Sequence, residues 1–264
     1  MIKRLLDSPA IDHFDHSSLR SLNYGGGPML VEDLMKAIDE LGPCLVQLYG
    51  QAESPMTITY LPQCHHVLNG SPDQMKRLAS AGFARTDVEV EIHDQNDREL
   101  LPDEMGEVVT RSDLVMKGYW RDPEATADTL RNGWLHTGDI GYLGEQGYLF
   151  LMDRSKDLII SGGENVYPRE VEEVIIQHPA VREVAVIGVP DPQWGEVIKA
   201  IVAIVSGLEV TAEELIDFCK GHIASYKKPK SIDFVDELPK NNCGKIVKHE
   251  LREKYWEGKQ RKVV

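Results

Sequence analysis

Leu30, Leu34, Ile38 and Leu41 recur at helical spacing, with Pro28 ahead of them and Gly42 behind, and predict a helix between a proline start and a glycine stop. The apolar run Cys44–Tyr49 that follows predicts a buried strand. Val88, Val90 and Ile92 alternate with Glu89 and Glu91, the pattern of a strand with one face in water. Glu107–Arg111, Leu114–Lys117 and Tyr148–Met152 are short runs separated by glycines, and these segments together predict a small antiparallel barrel or sheet.

Past Asp153 the pattern changes. It predicts strand Leu158–Ser161, helix Arg169–His178, strands Val184–Val189 and Val197–Val205, helix Ala212–His222, strand Ile232–Val235 and helix Ile246–Tyr255, a compact α+β layer. Thr211, with Glu214 three residues on, forms a capping box that sets the start of the fifth of these elements. The charged link Asp153-Arg154-Ser155-Lys156-Asp157 separates the two patterns, so the expected domains are 1–152 and 153–264.

A chain of 264 residues that is 42% hydrophobic buries an ordinary core and is long enough for one large or two modest domains. Lys and Arg number 29 against 43 Asp and Glu; the net charge of −14 repels phosphate backbones and argues against a nucleic-acid partner. Cys44, Cys64, Cys219 and Cys243 show neither CxxC pairing nor zinc spacing and read as reduced thiols of a cytoplasmic protein. Met1–Phe14 carries Lys3 and Arg4 but no apolar signal core, and no run approaches the roughly 18 apolar residues of a transmembrane segment. No long repeat recurs, and the basic Lys254–Lys262 stretch reads as a solvated end.

Four motifs carry candidate chemistry. Tyr49-Gly50-Gln51-Ala52-Glu53 places an aromatic face and a carboxylate at a strand's C-terminal end, where a purine stacks and a hard cation such as Mg²⁺ binds. Gly25-Gly26-Gly27-Pro28 permits close backbone approach to a ligand. Trp134-Leu135-His136-Thr137-Gly138-Asp139 ends in a short carboxylate on a tight turn, suited to accepting two ribose hydroxyls. Leu238-Pro239-Lys240-Asn241-Asn242-Cys243-Gly244-Lys245 puts an ammonium on a loop that can be delivered to a phosphate and withdrawn. Taken singly, a strand end, two plain turns and a solvated lysine account for these motifs better.

Taken in order, they do not stand singly. With Gly106-Glu107 through Gly118-Tyr119-Trp120, Asp153-Arg154 with Lys156, and Ser161-Gly162-Gly163-Glu164-Asn165, they resemble the adenylate-forming enzymes, which include acyl-CoA synthetases, firefly luciferase and nonribosomal adenylation domains. The resemblance runs from about Leu19 to the end of the chain. It implies the C-terminal part of a large AMP-binding domain followed by a small mobile α+β domain. It also implies an ATP-dependent acid:CoA ligase working through an acyl-adenylate, with ATP/AMP, Mg²⁺ and coenzyme A as ligands and a carboxylic acid as substrate. Tyr49 would lie against adenine, Glu53 would bind Mg²⁺, and Asp139 would hold the ribose with help from Arg154. Gly25, Gly26, Gly27 and Gly50 belong to the same nucleotide-binding set, Lys156 matches the hinge, Gly162 and Gly163 match the loop beside the pantetheine arm, and Lys245 matches the lysine of the adenylation step.

Two departures qualify the match. Ala52 stands where many members carry Thr, which removes a hydroxyl contact to phosphate. The family's Ser/Thr/Gly-rich phosphate loop, followed by Pro-Lys-Gly, lies upstream of Gly25–Pro28 and has no counterpart here. The expectation is therefore a piece lacking its N-terminal half and most of the acyl pocket, inactive alone, whose ending resembles fatty-acyl or aryl members. A ligase with another acyl acceptor and a non-catalytic nucleotide-binding subunit are the competing readings.

Overall fold

The computed structural model describes residues 2–27, 29–242 and 244–258; Pro28, Cys243 and the part of the basic segment beyond Gly258 lie outside the described residues. The chain divides between Leu151 and Met152 into two compact units.

The first unit opens with α1 (Ile2–Leu6), β1 (Leu22–Gly25), α2 (Val31–Leu41), β2 (Leu45–Gln51), β3 (Ser54–Leu61), α3 (Pro72–Arg77) and β4 (Phe83–Ala84). Its sheet has the order β1-β2-β3-β4, with β1 and β2 parallel and the other pairs antiparallel. A parallel pair needs a crossover, and α2 supplies it. The helix buries Leu34, Ala37, Ile38 and Leu41, the stripe its spacing predicts, and Gly42 closes it with an N–H donated to the Ile38 carbonyl at 2.9 Å. Leu34, Ala37 and Ile38 pack with Leu45 of β2 and with Leu78.

The same unit continues with β5 (Glu89–His93), β6 (Gly106–Arg111), α4 (Pro123–Thr129), β7 (Leu130–Arg131), β8 (Trp134–Leu143) and β9 (Leu149–Arg154), the last of which runs across the division. The sheet order is β5-β6-β8-β7, with β9 also on β8, and no pairing among the described residues closes it into a barrel. Leu114–Lys117 is not a strand: the Met116 N–H is donated to the Glu53 carbonyl at 2.8 Å and the Leu114 N–H to the Ser112 hydroxyl at 3.2 Å. The backbone of this short run is committed to tying down a loop. The Gly138-Asp139 turn is instead an irregularity within β8, where the pairs Val109↔His136 and Glu107↔Ile140 leave β8 with two extra residues.

The second unit contains β10 (Ile159–Ser161), β11 (Glu164–Val166), α5 (Pro168–Ile175), β12 (Val181–Asp191), β13 (Gly195–Ile204), α6 (Ala212–Lys220), β14 (Ser231–Phe234) and α7 (Lys248–Trp256). β12 and β13 form a long antiparallel ladder, and β13 also meets β10 at Gly195 and runs parallel to β14. Ala185, Ile187, Val189 and Ile201 from the ladder enclose a core with Leu238 and Leu251. The capping box forms: the Glu214 N–H is donated to the Thr211 hydroxyl at 3.2 Å, and the Thr211 N–H to the Glu214 carboxylate at 2.8 Å. Helix α7 starts at Lys248 rather than Ile246, because Ile246 is bridged to Lys240 across the preceding loop. Among the described residues no helix is long and apolar enough to cross a membrane.

Candidate active site

In the first unit β2 ends in Tyr49-Gly50-Gln51, and both long side chains reach one carboxylate. The Tyr49 hydroxyl is donated to Asp139 Oδ2 at 2.7 Å, and Gln51 Nε2 donates to the same oxygen at 2.8 Å and to the Thr137 carbonyl at 2.7 Å. Thr137 donates its hydroxyl to the Val108 carbonyl at 2.6 Å and accepts the Asp139 N–H at 3.1 Å. Glu107 of β6 accepts the Gly138 N–H at 2.9 Å. Asp139 is buried and its orientation is therefore set by neighbours on three strands before any ligand arrives. Tyr49 packs against Ile58, Ile92, Val108 and Leu149, which holds its ring rigidly at the strand end.

The glycines beside this cluster are required by close approach. A Cβ at Gly25 would stand 2.1 Å from the Leu48 carbonyl oxygen and one at Gly50 2.3 Å from the Met56 nitrogen. Gly26 and Gly27 continue β1 as a bend, and the Met56 side chain lies 3.4 Å from a Cβ position at both Gly25 and Gly26. Met56 thus joins the two glycine segments, a link no motif signalled. Glu53, on the turn after β2, accepts the Tyr119 hydroxyl at 2.6 Å. That bond to Glu53, more than burial, holds the Tyr119 phenol above its ordinary pKa. A half-exposed carboxylate of this kind fits a cation that takes one or two carboxylates and fills its other positions with water and phosphate oxygens.

Arg154, Lys156, Gly162, Gly163 and Lys245 all lie in the second unit. Gly162 and Gly163 are the central residues of the two-residue turn joining Ser161 to Glu164, and their φ values of 62° and 89° are those a right-twisted hairpin demands. The Gly162 N–H is donated to the Trp194 carbonyl at 2.9 Å, and a Cβ at Gly162 would meet the Trp194 ring at 2.6 Å. Trp194 went unnoticed in the sequence because it is distant there and belongs to no glycine motif.

Lys156 occupies a short turn, Ser155–Asp157, that α7 holds from one side. Arg252 pairs with Asp157 and donates to the Lys156 carbonyl at 3.3 Å. One helical turn earlier Lys248 lies 3.1 Å from Asp153 and 3.0 Å from Glu172, and Glu172 also accepts the Val186 N–H at 2.7 Å. Burial alone would push the Lys248 ammonium toward neutrality, but Glu172 and Asp153 outweigh it and hold its pKa above the ordinary lysine range. Positions 248 and 252 of the helix thus grip positions 153 and 157 of the link. The same helix follows the Lys245 loop, which is clasped by the Lys245 N–H on the Asn241 side chain and the Asn241 N–H on the Lys245 carbonyl, both at 2.9 Å.

Comparison with known proteins identifies related chains. The AMP-binding enzyme family matches residues 1–120, and the AMP-binding enzyme C-terminal domain matches residues 170–245. The chain is 39% identical over its whole length to the fatty acid–[acyl-carrier-protein] ligase ScoC of Streptomyces coeruleorubidus, covering 50% of that protein. It is 44% identical over 94% of its length to the long-chain-fatty-acid–CoA ligase FadD13 of Mycobacterium tuberculosis, covering 47% of it. The crystal structure of ATP-bound MatB from Rhodopseudomonas palustris superposes with a TM-score of 0.84 at 34% identity, over 96% of this chain and 49% of that one. The chain spans about half the length of the curated relatives it matches. It belongs to the AMP-binding, adenylate-forming enzymes.

Proposed function

We propose that this chain supplies the nucleotide-holding strand ends and the mobile small domain of a ligase that activates a fatty or aryl carboxylic acid with ATP and passes the acyl group to coenzyme A. The observation that carries the reading is the convergence of Tyr49 and Gln51 on Asp139, beside the backbone opened at Gly25 and Gly50. A buried carboxylate held by these donors is fixed in direction, which suits recognition of a ribose diol. Tyr49 would lie against adenine, and Arg154 would assist Asp139. Glu53 would hold Mg²⁺, which when bound screens the phosphate charge.

In the first half-reaction an oxygen of the substrate carboxylate attacks the α-phosphorus of ATP and pyrophosphate leaves; the Lys245 ammonium would stabilise the charge shared between carboxylate and phosphate. Rotation about Lys156 would then withdraw Lys245 and bring the Gly162-Gly163 turn to the site. There the CoA thiolate attacks the acyl carbonyl and AMP leaves. The phosphate loop that positions the β- and γ-phosphates in this family has no counterpart in the chain, so the chain by itself should not form acyl-AMP. The open edge of β1, which pairs only with β2 among the described residues, supports a continuation of this sheet in the whole enzyme.

Pyrophosphate release from ATP and a panel of fatty and aryl acids tests the reading, comparing this chain with the full-length enzyme. Release only from the full-length enzyme supports it, and turnover by the chain alone contradicts it. The 39% identity to an acyl-carrier-protein ligase favours a second reading, in which the acceptor is a carrier-protein thiol. Offering coenzyme A and a pantetheinylated carrier protein to preformed acyl-AMP separates the two.

A further inference from the structure

Behind the Asp139 cluster the first unit holds two buried histidines whose inner nitrogens have no hydrogen-bond partner. His93 of β5 and His136 of β8 are 5% and 6% exposed, and their rings meet edge to face with centroids 6.2 Å apart. His93 Nε2 bonds the Glu91 carboxylate at 2.8 Å, and His136 Nδ1 bonds the Glu107 carboxylate at 2.9 Å. A carboxylate only accepts, so each imidazole must spend its N–H outward. Its other nitrogen, His93 Nδ1 in one ring and His136 Nε2 in the other, then carries a lone pair, and both of these atoms are buried without a hydrogen-bond partner.

Asp97, on the turn after β5, completes the arrangement: one ring nitrogen from each histidine and a carboxylate oxygen of Asp97 lie within 4.8 Å of one another, and His136 Nε2 is 3.9 Å from Asp97 Oδ1. Two ring nitrogens without hydrogen-bond partners and a carboxylate oxygen thus gather in a buried place, an arrangement that a bound cation would satisfy. Charge points the same way. Glu91, Asp97 and Glu107 surround the rings, and the guanidinium paired with two of them is that of Arg131, at 3.3 Å from Asp97 and 3.4 Å from Glu107. Arg111 is engaged with Glu89.

We propose that His93, Asp97 and His136 form a binding site for a divalent transition-metal ion of the zinc class. Two imidazoles and one carboxylate are a borderline donor set that favours such an ion over Mg²⁺ or Ca²⁺, and a fourth position remains for water. The outward bonds to Glu91 and Glu107 are the carboxylate–histidine supports that fix ring orientation in metal sites. Tetrahedral bonds of about 2.0–2.1 Å place ligand atoms about 3.3 Å apart, so the ion would draw the three groups together from their present separations. The ion would tie β5 and its turn to β8 three residues before Asp139, and Glu107 would link it directly to the Gly138 N–H. It would brace the strand that aims Asp139 without touching the nucleotide.

The test uses the whole chain, freed of metal with a chelator, titrated with Co²⁺ under visible absorption spectroscopy and with Zn²⁺ by calorimetry. The proposal expects one saturable equivalent, the ligand-field bands of a four-coordinate Co²⁺ ion, and a raised melting temperature on Zn²⁺ addition. His136→Gln should weaken Zn²⁺ binding by about ten-fold or more. Asp97→Asn, on a turn that Arg131 and Asn132 also hold, should do the same while leaving the metal-free circular dichroism spectrum unchanged, and so stands in if the histidine variant fails to fold. Absence of a saturable equivalent, or equal affinity in the parent and Asp97→Asn, overturns the proposal.

Discussion

Asp139 shows how much one position owes to others. The tyrosine and the aspartate were both legible as motif residues, but their direct bond was not, because 90 residues separate them. Gln51 was passed over although it stands two residues after Tyr49, the spacing that returns a strand to the same face. Asp139→Asn keeps the shape and removes the charge; AMP affinity of the full-length enzyme should fall about ten- to a hundred-fold, equivalent to about 1.5–3 kcal/mol for hydrogen bonds to a charged group. Calorimetric titration with AMP reads this, and unchanged affinity would remove Asp139 from the site. Cysteine chemistry is also set residue by residue. Burial pushes the Cys219 thiol up to about 11, whereas Cys64 is exposed. At pH 8 iodoacetamide should label Cys64 and spare Cys219, as read by peptide mass spectrometry. The raised value has a sign for stability: below the ordinary thiol range the contribution is fully present, and it is lost as pH rises from that range to about 11, because the unfolded thiol ionises first.

Elements were legible where burial is one-sided. α2 repeats at 3.6 because one stripe meets the sheet, and β5 alternates with Val90 and Ile92 on its core face, although the opposite face runs from exposed Glu89 to buried His93. β3 was not read: it buries Ser54 and Thr59, whose polarity masks the strand, and the fold satisfies Thr59 with a 2.6 Å bond to the Ala81 carbonyl. β8 is hidden in the sequence because Gly138-Asp139 reads as a turn, whereas the pairing with β6 absorbs that turn as an irregularity between His136 and Ile140. Helix α7 matters more than its mixed surface suggests, since Lys248 and Arg252 grip the link on either side of Lys156. Lys248→Ala leaves the buried Glu172 and the partly buried Asp153 without their cation and should destabilise the second unit by about 3–5 kcal/mol, measured by urea denaturation. A loss below about 1 kcal/mol would mean that the grip is unimportant.

At the scale of the molecule, the switch from alternating strands to an α+β pattern near Asp153 was legible because the intervening link is charged and carries no periodic apolar face. The order of the motifs, rather than any one of them, carried the family. What the sequence could not show is how the motif residues are supported: in the first unit Met56 lies against Gly25 and Gly26 and Glu107 accepts the Gly138 N–H, and in the second unit Trp194 lies against Gly162, all through strand pairing and hairpin geometry. In the proposed ligase one small domain would serve two half-reactions with different residues. In the full-length enzyme acyl-AMP formation and thioester formation from preformed acyl-AMP are timed separately for Lys245→Ala and Gly162→Val, with folding checked by circular dichroism. Lys245→Ala should slow the first step by about 10²–10³-fold and leave the second near normal, as when one charge-stabilising donor is lost. Gly162→Val, strained at φ 62° and driven against Trp194, should impair the second step and largely spare the first. Equal losses in both steps for Lys245→Ala would contradict the alternation.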